Sequence, residues 1–325
     1  MILLAHTSDM RFVAGRDGVR TVFSTGDRKV ELVAFENHTM ACVKSALGYP
    51  AYYPVMQVAD DQPVKAVLMD LDGTTVKSEE FWIGIIQMTI RSLLKSASFT
   101  FEDADIPFVS GHSVSEHLKY CIVKYCPDKK LTEAQTIYYE HTHREMEDIL
   151  KNGKKGAFRP NKGVKDFLLA LKKHGVKIGL VTSGLYEKAY PEILSAFREM
   201  ELGDPKAFYD CIITAGFRLG CGDAGTMGEL EAKPHPWLYA ETAFGMGIRH
   251  DERDCVIGIE DSGAGVCSIR LAGFYTVGIS GGNILQSGTK FFCNSYHEDF
   301  AGILDLIERR GLYGEILHHS TYALG

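Results

Sequence analysis

Apolar and polar positions along the chain fall into three regimes. Residues 1–62 hold short β-prone runs broken by turn residues, clearest at Arg20-Thr21-Val22-Phe23-Ser24 and at 29–35 (KVELVAF), with Asp17-Gly18 and Gly26-Asp27 as turn chemistry. The pattern predicts a short helix near 38–47, stopped by Gly48 and Pro50, and a polar joint at Asp60-Asp61-Gln62-Pro63. Residues 78–150 change to long segments at helical spacing, such as 133–151, which predicts a helical insert. From Gly163 onward strand and helix alternate. An amphipathic helix at 164–174 is closed by Gly175, strands follow at 176–181, 210–214, 255–259 and 275–279, and a helix closes the series at 300–309. Together with 64–70 (VKAVLMD), these near-continuous apolar runs predict strands buried on both faces of a parallel sheet. The expected fold class is α/β: a doubly wound, Rossmann-like parallel-sheet core at 63–76 and 157–325, an inserted helical cap at 77–156, and an N-terminal β-rich extension at 1–62.

The polar residues fall at the carboxyl ends of these strands, where ligands bind in such sheets. One strand runs into Asp70-Leu71-Asp72-Gly73-Thr74, the next into Thr182-Ser183-Gly184, and a third into Glu260-Asp261-Ser262-Gly263. Lys233 stands just before Pro234, ahead of a helix expected at 236–246. Carboxylates, a hydroxyl and an ammonium converging on one crevice suit phosphoryl transfer. Carboxylates are hard ligands that suit Mg²⁺, and the ion offsets repulsion between an anionic nucleophile and a phosphate. Each piece has a bland reading: an Asx-type turn, a helix N-cap, a solvated lysine, an acidic pair favoured by a helix dipole. Four such coincidences in order on successive strands are improbable.

The chain is 325 residues long, 45% apolar and 24% charged, with a net charge of −7. This is ordinary globular usage without the basic stripe of a nucleic-acid binder. No apolar run approaches the roughly 20 residues needed to cross a bilayer, and the opening Met1-Ile2-Leu3-Leu4-Ala5 lacks the n- and h-regions of a signal peptide. Eight scattered cysteines form no C-x-x-C pair, which favours reduced thiols in a cytoplasmic protein. The Asn37-His38-Thr39 sequon is then accidental.

With these motifs assembled, the sequence resembles the haloacid-dehalogenase superfamily, in the branch with a helical cap inserted after the first motif. The likeness spans about residues 64–300. It implies Asp70 as nucleophile and metal ligand, and Asp72 as general acid and base with its main-chain carbonyl also on the metal. It further implies Thr182 as the hydroxyl that hydrogen-bonds the phosphoryl group, Lys233 as the lysine that neutralises charge there, and Glu260 and Asp261 as the acidic pair holding Mg²⁺. Ser183 and Gly184 stand with Thr182 as candidate phosphate-binding positions. Lys233-Pro234-His235-Pro236, and Glu260-Asp261-Ser262 followed by Ala264-Gly265, resemble the phosphatase and β-phosphoglucomutase subgroup.

In the cap, Gly111, His112 and Ser113 resemble the loop that in this family reaches the substrate; equally, Ser113 is an N-cap for a helix at 114–124. Arg159 is a hinge or a phosphate contact. Gly220-Cys221-Gly222-Asp223-Ala224-Gly225 spells a dinucleotide fingerprint but lacks the following helix, so a loop is expected. His141 and His143, two apart on a helix, point away from each other and predict no metal site. The glycine-rich 216–228 stretch and residues 1–62 depart from the family pattern.

The expected function is hydrolysis of a small organic phosphomonoester, with Mg²⁺ as cofactor, an aspartyl-phosphate intermediate, and no nucleic-acid or membrane partner. A sugar-phosphate mutase uses the same motifs and is the alternative; a non-catalytic binding protein on the same fold is a further one. Dehalogenation needs neither Asp72 nor the 260/261 pair, and phosphonate cleavage has Ala in place of Asp72. The extension could cover the core, extend a sheet or pair between subunits, which leaves a homo-oligomer open.

Overall fold

Buried apolar runs become the parallel sheet, and the polar residue closing each run lands at one edge. In the computed structural model, which describes residues 1–44, 50–109, 114–215 and 231–312, six parallel strands pair in the order Cys211–Ala215, Lys177–Leu185, Ala66–Asp70, Val256–Glu260, Tyr275–Ile279 and Ser295–His297. Every residue of Ala66–Asp70, Val256–Glu260 and Tyr275–Ile279 is buried. These strands occupy the sheet interior, where both faces are covered. Ala66, Leu68, Val181 and Ile213 pack with Leu238, Tyr239 and Ala243 of the helix Trp237–Gly245 and with Ile269 of the helix Gly263–Leu271. The helices Val164–Lys173 and Phe300–Arg310 pack together, with the Phe167 and Phe300 rings 5.0 Å apart. The doubly wound α/β expectation is borne out. The sixth strand, Ser295–His297, was not foreseen.

The N-terminal extension is a five-stranded antiparallel meander of Ile2–Leu4, Thr21–Ser24, Val30–Ala34, Thr39–Lys44 and Pro50–Pro54, paired in chain order. The helix expected near 38–47 is corrected here: residues 39–44 form a strand whose Ala41 and Val43 pair with Leu32 and Val30, and 45–47 lie outside the described residues. Alternation decides this local structure. Val30, Leu32, Ala41 and Val43 turn to one face and pack on Val266, Cys267, Leu271, Ile284 and Phe292. Val22 and Val33 turn to the other face, with Val19, Phe12 and Phe35.

The chain forms two compact units. One comprises residues 1–75, 161–189 and 203–325, so the N-terminal sheet belongs with the parallel sheet. The other comprises 76–160 and 190–202. It is built from the short antiparallel pair Val76–Lys77 and Arg159–Pro160 and the helices Glu79–Leu94, Ile106–Val109, Val114–Tyr125 and Leu131–Asn152. Ile85, Ile86, Ile90, Leu118, Cys121, Ala134 and Tyr138 form its core. Glu79 and Glu80 suit the positive end of the first helix, and Gly153 at φ +68° closes the long one.

Candidate active site

Asp70 is the last residue of its strand and is 5% exposed, whereas Asp72, two residues on, is exposed. The turn between them is fixed by the Thr75 hydroxyl, which donates to the Asp70 carbonyl at 2.5 Å, and by Asn161 Nδ2, which donates to the carbonyls of Gly73 at 2.6 Å and Thr74 at 3.0 Å. Gly73 has φ +83°, and a Cβ there would lie 2.2 Å from Asp261 Oδ2. Glycine is therefore demanded twice, by conformation and by the carboxylate behind it.

Lys233 is the electrostatic centre. Its ammonium, 6% exposed, lies 2.5 Å from Asp70 Oδ1 and 2.6 Å from Glu260 Oε1. Glu260, fully buried, also accepts from the Tyr239 hydroxyl at 2.9 Å on Oε1 and from the Ser262 amide and hydroxyl at 3.2 and 2.9 Å on Oε2. Gly265 makes room for it, since a Cβ there would fall 1.8 Å from Glu260 Cδ. A Cβ at Gly282 would likewise fall 2.2 Å from the Asp261 carbonyl. The Thr182 hydroxyl donates to Asp72 Oδ2 at 3.4 Å and accepts from the Gly184 amide at 2.9 Å. Ser183 Oγ accepts from the Lys233 amide at 3.3 Å, tying the two loops together.

Ligand oxygens of Asp70, Glu260 and Asp261 lie within 4.8 Å of one another, all buried. Burial and the Glu260 charge raise the Asp70 carboxyl well above the usual carboxylate range, against the pull of Lys233. The same causes push Asp261 up to about 7. Burial lowers the Lys233 ammonium, but Asp70 and Glu260 outweigh it and hold the lysine charged. One ammonium among these carboxylates leaves the cluster short of positive charge. Hard, buried oxygen donors with surplus negative charge fit a divalent cation. Both Glu260 oxygens already accept hydrogen bonds, so Asp70 and Asp261 are the side chains better placed to hold it. The Asp72 carboxylate is not among the clustered ligand atoms; its expected contribution was the main-chain carbonyl.

The structure thus brings Asp70, Asp72, Thr182, Ser183, Gly184, Lys233, Glu260 and Asp261 to one sheet edge. Gly111, His112 and Ser113, and the glycine-rich 216–228 stretch, lie outside the described residues. Arg159 is exposed on its short strand. His141 bonds Ser92 Oγ at 2.8 Å and Arg144 at 2.7 Å, apart from His143, which lies 3.8 Å from Glu147. Asn161, Tyr239 and Gly282 were missed in the sequence, whereas Ser262 and Gly265 stood in the fourth motif without a role. Only Gly265 and Ser262, inside the fourth motif, carried a local signal.

Residues 67–203 match the model of the family described as haloacid dehalogenase-like hydrolase, so the chain carries a haloacid dehalogenase-like region, as the motifs implied. A curated relative, the pyrophosphatase PpaX of Listeria monocytogenes, is 26% identical over 124 residues, 38% of this chain and 50% of the relative. The chain thus matches half the length of that relative. Among solved structures, a candidate β-phosphoglucomutase from Thermotoga maritima aligns with a TM-score of 0.52 at 20% identity, over 74% of this chain and 99% of that one. CbbY from Rhodobacter sphaeroides, solved with phosphate, aligns with a TM-score of 0.50 at 16% identity, over 73% and 95%. At such identities the likeness shows a shared fold.

Proposed function

We propose that this chain is a Mg²⁺-dependent phosphohydrolase of small organic phosphomonoesters, acting through an aspartyl-phosphate on Asp70. The observation that carries the reading is the Lys233 bridge between Asp70 and Glu260, with Asp261 alongside, at the carboxyl end of the parallel sheet. Phosphatase and mutase names among the similar proteins support it, as does the phosphate bound to one structural neighbour.

In this reading an Asp70 oxygen attacks phosphorus, the ester P–O bond breaks, and Asp72 protonates the departing alkoxide. Asp72, now a carboxylate, takes a proton from water, which attacks the aspartyl-phosphate and releases phosphate with Asp70 restored. Exposure keeps Asp72 within reach of solvent, and the Thr182 hydroxyl steadies it. Lys233 offsets charge on Asp70 and on the phosphoryl oxygens. Asp70, Asp261 and the Asp72 carbonyl would hold Mg²⁺, which supplies Lewis-acid neutralisation of the phosphoryl group. Ser183 and Gly184 support the phosphate side of the loop. Residues 77–156 act as the cap.

A cytoplasmic location is supported by seven cysteines outside any disulfide among the described residues. No helix among these residues is long and apolar enough to cross a membrane.

The test is phosphate release from a panel of sugar phosphates, nucleotides and phosphoglycolate, with and without a chelator, by the wild type and by Asp70→Asn. Turnover that needs Mg²⁺ and Asp70 is expected. Retained activity after either removal overturns the reading. Conversion of a hexose 1-phosphate to its 6-phosphate without free phosphate would establish the mutase instead.

A further inference from the structure

The N-terminal sheet reaches the segment that carries Lys233. His235, two residues beyond that lysine, is 3% exposed and held on three sides. Its Nδ1 lies 2.8 Å from the Tyr53 hydroxyl, and its Nε2 lies 3.2 Å from the Lys44 carbonyl. Its own carbonyl accepts from Ser268 Oγ at 2.5 Å, from the helix that follows Glu260 and Asp261. A carbonyl can only accept, so Nε2 donates to Lys44, and in the neutral imidazole Nδ1 then accepts from Tyr53; Glu231 Oε2 lies 3.9 Å from Nε2. Burial raises the Tyr53 phenol, which stays a donor. The Tyr53 ring also meets His235 and Trp237 edge-on, at 5.8 and 6.0 Å.

Both grips come from neighbouring strands, Thr39–Lys44 and Pro50–Pro54, whose register pairs Lys44 with Pro50 and Ala41 with Tyr53. The sheet is itself anchored. Its apolar face lies on Val266, Cys267 and Leu271. The Gly26 amide donates to the Ser287 carbonyl at 2.8 Å, where a Cβ on Gly26 would come within 2.9 Å of that oxygen. The 282–289 loop in turn meets the metal-side carboxylate: Gly282 abuts Asp261, and Asn283 Oδ1 accepts from the Gly263 amide at 2.8 Å.

We propose that the N-terminal sheet positions Lys233 through the Tyr53–His235 hydrogen bond, so that Tyr53 and His235 are positioning residues for phosphoryl transfer. The proposal rests on the hydrolase reading above for what Lys233 does, while the grip itself is geometric. Displacements near 1 Å cost rate steeply when a charge must meet a transferring group. The extension is then part of the reaction centre's support.

The experiment uses the full chain with Mg²⁺ and p-nitrophenyl phosphate. Tyr53→Phe keeps the ring and removes the hydroxyl. Its kcat is expected to fall about tenfold with KM changed less than about twofold, at an unchanged melting temperature. Amide hydrogen exchange across 233–237 is expected to rise about tenfold. An unchanged kcat, or a lower kcat without faster exchange at 233–237, overturns the proposal. If the wild type releases no phosphate from any substrate, the hydrolase reading fails, and exchange alone then decides the positional claim. A second pair guards against misfolding: His235→Leu should match the Tyr53→Phe loss, and His235→Gln, which keeps a donor and an acceptor, should recover most of it. Equal loss in both would also overturn it.

Discussion

Lys233 places its ammonium 2.5 Å from Asp70 Oδ1 although 163 residues separate the two in sequence. That one contact joins the first strand of the parallel sheet to the segment leading into the helix Trp237–Gly245, and it sets how the site responds to change.

Replacing Lys233 by methionine leaves Asp70 and Glu260 buried without their shared cation. Breaking one side of a buried pair costs about 3 to 5 kcal/mol. Lys233→Met should therefore lower the melting temperature by several degrees in a chelating buffer, read by calorimetry. Turnover should fall roughly 10²- to 10³-fold, as when a charge-stabilising donor is removed.

Gly73→Ala puts a methyl group 2.2 Å from Asp261 Oδ2, on a backbone at φ +83°. The left-handed conformation alone costs about 1 to 2 kcal/mol for a residue with a Cβ. The larger effect is that Asp261 must move. Isothermal titration with Mg²⁺ should show metal binding lost or sharply weakened, while circular dichroism at low temperature stays native.

Glu260→Gln keeps the shape and removes the charge. The amide nitrogen must then face one of the donors now meeting the carboxylate, from Lys233, Tyr239 or Ser262. If Glu260 acts as counter-ion to Lys233, kcat should fall about 100-fold while Mg²⁺ affinity drops by no more than about 10- to 100-fold, the range of outer partners. A total loss of metal binding would make Glu260 a direct ligand.

Asp105, fully buried in the helical unit, accepts from Lys124 Nζ at 2.7 Å, Tyr120 at 2.6 Å, the Glu102 amide at 2.9 Å, and Tyr125. Burial alone would raise this carboxyl; the hydrogen bonds from Lys124 and the two tyrosines outweigh it and hold it well below the usual range. A lowered carboxyl stabilises the fold fully above its unfolded value near 4 and loses that contribution as pH falls toward the folded one. Asp105→Asn should cost about 2 to 3 kcal/mol at pH 7, and the gap between the urea midpoints of wild type and variant should begin to narrow below about pH 4 and keep narrowing as pH falls toward the folded value.

The strand ends were legible because burial on both faces forces apolar runs, and each run stops where chemistry begins. Asp70, Thr182 and Glu260 could be placed this way without coordinates. The Thr39–Lys44 strand was misread because six residues with a polar start and end satisfy either period, and only pairing with Val30–Ala34 decides. Pro50–Pro54 was invisible because prolines at both ends suppress a strand signal, yet they are tolerated on the sheet edge this strand occupies. Tyr239 serves the site through one side-chain hydrogen bond and Asn161 through two, each from a distant segment, and Tyr53 meets His235 across 182 residues. No local pattern marks such residues.

The segment that matches the family begins at residue 67, but the hydrophobic interior does not respect that limit. Val30, Leu32, Ala41 and Val43 cover Val266, Leu271, Ile284 and Phe292. A shortened gene starting at the family boundary would therefore encode a protein with a raw apolar flank, prone to clump during expression. Any attempt to swap, trim or tag this protein should treat the first 54 residues as inseparable from the rest.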